Sequence, residues 1–296
     1  MPSGSPTQHT LNTPELLELI LAQLDPRTLL TAAQLTCRTW RTLIQTSHPL
    51  QEALFFRPAR ATPTIPAPAT KKFNPLLAEA FPGFFPRFPS DSSASEAAPS
   101  ARHAVFQWDT LDFVVRPDKR PAYFRKEASW RRMLVHQQQQ QQQHAPPQSV
   151  GLMTACSGIS GEEICLESWK SPQTGNALED GLRMETFFEL LFFNELLRYS
   201  WYVAVVWRDE RRAPEHVFEA YRGRLGKPDN QEVVVCVFAS VGCEESDDED
   251  EEAEVRAVQG VVIGGYNKEG LRTAPFTGGE GGWVKGEVLK ASGWWD

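Results

Sequence analysis

Leucine spacing near the start of the chain is the strongest constraint on its fold. The stretch TPELLELILAQLDPRTLL, residues 13–30, places eight Leu or Ile residues in eighteen positions. Two helix starts are written into it. Thr13 can cap a first helix with Pro14 at its first position, where a missing N–H costs nothing, and Asp25 with Pro26 repeats the arrangement for a second. Leu17, Ile20, Leu21 and Leu24 fall at i, i+3, i+4 and i+7, which predicts one apolar stripe, and Leu16 and Leu19 widen it to a second face. A third helix is expected from Thr36 and Cys37 through RTWRTLI, and a short fourth over PLQEALFF after Ser47. One stripe can serve a core; a second apolar face on a unit this small needs a further partner.

The rest of the 296 residues divides by composition. Residues 1–10 read as a disordered tail, and 58–100 as a Pro/Ala/Ser-rich linker that cannot bury enough surface to fold. Within the linker, 73–88 (FNPLLAEAFPGFFPRF) is too apolar for water and is expected to dock on a neighbouring domain. Residues 101–296 hold eight of the nine Trp residues and read as a mixed α+β domain, a candidate for substrate binding, whose topology the sequence does not fix. Its strand candidates are AVFQWDTLDFVV, EEICLESW, WYVAVVW, EVVVCVFASV and VRAVQGVVIGG. WYVAVVW, apolar throughout, is expected at the centre of a sheet. Helix candidates are RKEASWRRMLV and LEDGLRMETFFELLFFNELLRY. The glutamines at 137–143 read as a surface loop without chemistry. The acidic residues between 244 and 254 read as a long loop at the tip of a hairpin.

That acidic run carries the net charge of −8; without its nine acids the formal charge is +1, so acidity is local. Ser246, followed by Asp247, Asp248 and Glu249, is a candidate phosphosite for acid-directed kinases. The run either solubilises the chain or engages a basic partner, whether a substrate or the segment 116–132, where seven basic residues face two acids. Nucleic acid is not an expected partner for that segment, because no recognisable nucleic-acid fold accompanies the charges.

No motif in the sequence carries recognisable catalytic or ligand chemistry. CSGISG lacks the G-x-S-x-G elbow, and TGGEGGW and IGGYNKEG lack the phosphate-loop spacings. Five Cys and six His residues fall at no metal-ligand spacing. No catalytic residue, cofactor or metal is expected. Glu15 and Glu18 interrupt the leucines and no basic segment precedes them, which argues against a secretory signal. No apolar run approaches the ~20 residues of a membrane span. A soluble protein of the cytoplasm or nucleus is expected.

Pro14, Glu15, Leu16, Leu17, Ile20, Leu21, Leu24, Leu29, Leu30, Cys37, Trp40, Arg41 and Ile44 together resemble an F-box, a three-helix all-α domain, over residues 11–57. Leu11 stands one place earlier than the usual Leu-Pro opening, and Thr36 replaces the usual Val before the Cys. NPLLAEAFPGFF and ASWRRMLVHQ are similar to segments of uncharacterised fungal F-box-like proteins. The resemblance implies docking on a Skp-family adaptor and through it a cullin and a RING subunit. It implies adaptor contacts at Leu11, Pro14, Leu16, Leu17, Ile20, Leu21, Leu24, Leu29, Leu30, Cys37, Trp40 and Ile44. The chain would then be a receptor delivering an unidentified protein substrate to a ubiquitin ligase. Three alternatives stay open: an F-box protein outside ligases, an enzyme with a helical N-terminal appendage, and a helical subdomain that packs only on its own chain.

Overall fold

The computed structural model describes residues 13–59, 71–85, 111–138, 149–158, 161–170, 181–193, 202–207, 231–240, 249–271 and 284–292. The tail 1–10, Leu11, the linker stretches 60–70 and 86–100, glutamines 139–143 and the acidic residues 244–248 with Ser246 lie outside the described residues.

The N-terminal unit is helical throughout and more finely divided than three helices. Helix α1 spans Pro14–Leu21. A second stretch opens as α2 (Pro26–Thr28), widens to a π-helix at Leu29–Ala33, and closes as α3 (Gln34–Thr36). Helices α4 (Arg38–Thr46) and α5 (His48–Ala53) follow. Thr13 holds the N-cap position of α1 in extended backbone, but its side chain makes no capping bond. Asp25 does cap, accepting from the Thr28 amide at 3.0 Å. Ser47 caps α5 through the Leu50 amide and donates its own hydroxyl to Glu18 Oε1 at 2.6 Å, which ties α5 to α1. Leu17, Leu21, Leu29, Ile44, Leu50 and Leu54 form the small core. Ile20, expected in that stripe, instead lies with Leu16 and Leu19 on the outward face of α1.

Strand β1 (Lys71–Phe73) and helix α6 (Pro75–Ala80) come next among the described elements. Asn74 caps α6 through the amides of Leu76 and Leu77. Three short helices come next: α7 (Asp112–Val115), α8 (Arg120–Phe124) and α9 (Ser129–Arg132). Strand β2 (His136–Gln138) then pairs antiparallel with β1. Three expectations are corrected here. Residues 112–115 are helical rather than a strand, and RKEASWRRMLV is helical only over Ser129–Arg132. The first two glutamines of the run belong to β2 and not to a loop.

Five strands form a second sheet in the order β5-β6-β3-β4-β7: β3 (Ser149–Gly158), β4 (Gly161–Lys170), β5 (Tyr202–Trp207), β6 (Gln231–Ser240) and β7 (Val284–Ser292). Only the β3–β6 pairing is parallel. Among the described strands β5, expected at the centre of a sheet, is therefore an edge strand, because apolar composition does not report how many strands pair with the backbone. Helix α10 (Met184–Phe193) is buried on most sides, and α11 runs over Glu249–Lys268. The expected strand VRAVQGVVIGG lies inside α11, so the hairpin with an acidic tip is replaced by a helix whose first residues include Glu249–Glu252.

A second core is built from Leu77 of α6, the rings of Phe81, Phe84 and Phe85 that follow it, and aromatic rings of α7, α8, α9, α10 and α11. Phe188 is its hub, with ring centroids at 4.4 Å from Phe192, 5.0 Å from Trp130 and 5.9 Å from Phe81. Leu77, Phe81, Phe84 and Phe85 of the apolar segment 73–88 are buried in it. Leu30 and Phe56 pack against both cores, so the helical unit sits directly on the aromatic one.

Candidate functional site

The side chains of α1 sort by spacing. Leu17 and Leu21 point inward and are fully buried, while Leu16, Leu19 and Ile20, at i, i+3 and i+4, are 44%, 64% and 42% exposed. Leu35 on α3 is 76% exposed. Large aliphatic side chains scattered singly need no explanation, but three on one face of one helix form a surface.

The residues singled out from sequence fall into three groups. Pro14, Leu16, Ile20 and Cys37 are exposed. Leu24, Leu30 and Trp40 are partly buried against the helical core. Leu17, Leu21, Leu29 and Ile44, where the resemblance also implies adaptor contacts, have no exposed surface and lie in the small core. Leu19 and Leu35 are the exposed large aliphatic residues of the helical unit absent from that set. Leu19 was legible from its spacing to Leu16; nothing in TAAQLTC marks Leu35 as outward.

Charge near this surface is organised by caps. Thr28, through its side chain and its amide, holds the Asp25 carboxyl below its ordinary value. Arg27 of α2 pairs with Glu79 of α6 across the two units. The basic segment 116–132 is largely spent on internal ties. Arg120 donates to the carbonyls of Phe113 at 2.9 Å and Val114 at 3.4 Å, and Arg116 and Lys119 both pair with Asp112. Arg131 is buried, donating to Glu185 Oε1 at 2.9 Å and the Tyr266 hydroxyl at 3.1 Å, between the rings of Trp130 and Tyr266. Burial and the Glu189 charge raise the Tyr266 hydroxyl well above its usual value.

An open groove of about 360 Å³ lies between α8 and α11, floored by Phe124 and Val261 and edged by Arg120, Lys268 and Glu269. Among the described residues no three His, Cys, Asp or Glu side chains gather as metal ligands, and no helix is long and apolar enough to cross a membrane.

A family model for the F-box-like domain matches residues 14–57, the span of α1 to α5 and the turn that follows. The chain carries an F-box-like domain. No curated protein and no solved structure matches the chain. F-box domains generally bind Skp-family adaptors, so the role this domain suggests is protein interaction.

Proposed function

We propose that the chain is the substrate receptor of a Skp-cullin-F-box ubiquitin ligase. The F-box-like domain docks on the adaptor, and the region from about 101 binds a protein substrate. Ubiquitin transfer belongs to the partner subunits, with no catalytic residue in this chain, and the complex works in the cytoplasm or nucleus.

The observation that carries the reading is the outward face of α1. A matched F-box-like unit of 44 residues keeps Leu16, Leu19 and Ile20 in water although its own core is already filled by Leu17, Leu21 and Leu29. Burying an exposed aliphatic side chain is worth about 1.5–3 kcal/mol, so such a face is a standing gain for a helix-in-groove partner.

The test is affinity purification of the wild type beside Leu19→Asp/Leu35→Asp, which alters exposed positions, and Leu21→Ala, which alters the core. The surface double variant should melt like the wild type and lose both adaptor and cullin. Retention of the adaptor by that variant sinks the docking surface. Adaptor recovered without cullin from the wild type would instead place the chain among F-box proteins that work outside ligases.

A further inference from the structure

Gln137 opens the glutamine run and is buried, at 7% exposure. Its side-chain nitrogen donates to the carbonyls of Glu52 at 2.7 Å and Arg57 at 2.8 Å, using both of its hydrogens. Those carbonyls flank the turn that ends the F-box-like domain. Beside them the Leu134 amide donates to the Phe55 carbonyl at 2.7 Å.

The backbone that presents Gln137 is fixed before the run begins. Lys72 pairs with Gln137 and Phe73 with His136 in the small sheet. Asn74 donates from its amide to Val135 and from its side chain to Leu134. Residue 137 is therefore held in one register by 134–136, whatever follows it.

We propose that the glutamine run is a self-registering clamp. Its first residue locks the F-box-like helices onto the aromatic core, and because the residues of the run are identical, the slot receives glutamine at any run length. The chemistry asks for a neutral amide with two donors on a side chain of this reach. Glutamate keeps the shape but presents acceptors to two carbonyls, and alanine presents nothing. The inference does not depend on what the F-box-like helices bind.

Two insertions between His136 and Gln137 in the full chain make the test. An inserted glutamine leaves glutamine in the slot, whereas an inserted alanine takes the slot and moves every glutamine one place on. Both lengthen the chain equally. Hydrogen exchange is followed at the Leu134 amide and across 48–57, with Met184–Phe193 as the reference for global stability. The glutamine insertion should exchange like the wild type. The alanine insertion and Gln137→Glu should each exchange about ten-fold faster at the joint, the effect of losing one or two buried hydrogen bonds, with the reference unchanged. Equal exchange for the two insertions, wild-type exchange for Gln137→Glu, or equal acceleration at the joint and in the reference would overturn the clamp.

Discussion

Phe55 stands at φ +60°, where a side chain normally costs roughly 1–2 kcal/mol. It closes α5: its own amide donates to Glu52 at 3.0 Å and the Phe56 amide to Gln51 at 2.9 Å, the bond pair of a helix end that usually takes glycine. The ring is retained because it is buried. Phe55→Ala and Phe55→Gly should both destabilise, the former by about 3–5 kcal/mol. Glycine should be the less damaging by about 1 kcal/mol although it is smaller, since alanine keeps the left-handed penalty. Urea unfolding of the pair decides it; alanine equal to glycine would mean the turn relaxes. A second residue-scale effect is electrostatic. Burial raises the Asp112 carboxyl, but the Lys119 hydrogen bond, the Arg116 and Lys119 charges and the Tyr123 hydroxyl together bring it below its ordinary value. Its contribution is thus full above the unfolded-chain value near 4 and lost as pH falls through the lower folded value. Asp112→Asn should cost about 0.5–1 kcal/mol at pH 7, and the cost should shrink as pH falls below about 4. Tyr123 runs the opposite way, pushed up to about 12 by burial and by Asp112. The unfolded chain ionises it near 10, so stability falls between about pH 10 and 12, and Tyr123→Phe should flatten that fall.

Helix α11 separates glycines that packing requires from glycines it does not. A methyl group on Gly265 would collide with the Phe124 ring of α8, whereas Gly260 and Gly264 have nothing within 4 Å. Gly265→Ala should therefore push α8 and α11 apart and lower the melting temperature. Gly260→Ala should raise stability by about 0.5–1 kcal/mol through helix propensity alone. A loss at Gly260 would show that the open groove above it is needed by the fold. The same helix marks how far the sequence could be read. Val258, Val262 and Tyr266 recur every four residues and are buried, a helical stripe that the β-branched composition of VRAVQGVVIGG outweighed. Acidic residues at the start of α11 also suit the positive end of a helix. The F-box-like helices were legible because caps and leucine spacing are local signals. The sorting of Ile20 outward and Leu21 inward was not, because it depends on where α4 and α5 come to rest. A homopolymer such as the glutamine run gives no sign of which member makes contact.

At the scale of the whole molecule, the question is whether the F-box-like domain and the aromatic core melt together. Size argues that the domain alone is marginal, since its core is a handful of aliphatic side chains. Leu30 and Phe56 pack into both cores, and Arg132 lies over the Phe56 ring at 5.0 Å. Losing either core thus removes packing from the other, the condition for a shared transition. Leu21→Ala in the first core and Phe188→Ala in the second should each shift one common transition, by about 2–5 and 3–5 kcal/mol. Calorimetry of the full chain, with circular dichroism and near-ultraviolet signals followed separately, reads the outcome. If Leu21→Ala instead splits off an early transition and leaves the near-ultraviolet signal of the aromatic core in place, the two cores are independent. The F-box-like domain would then turn freely against the aromatic core instead of holding a fixed angle to it.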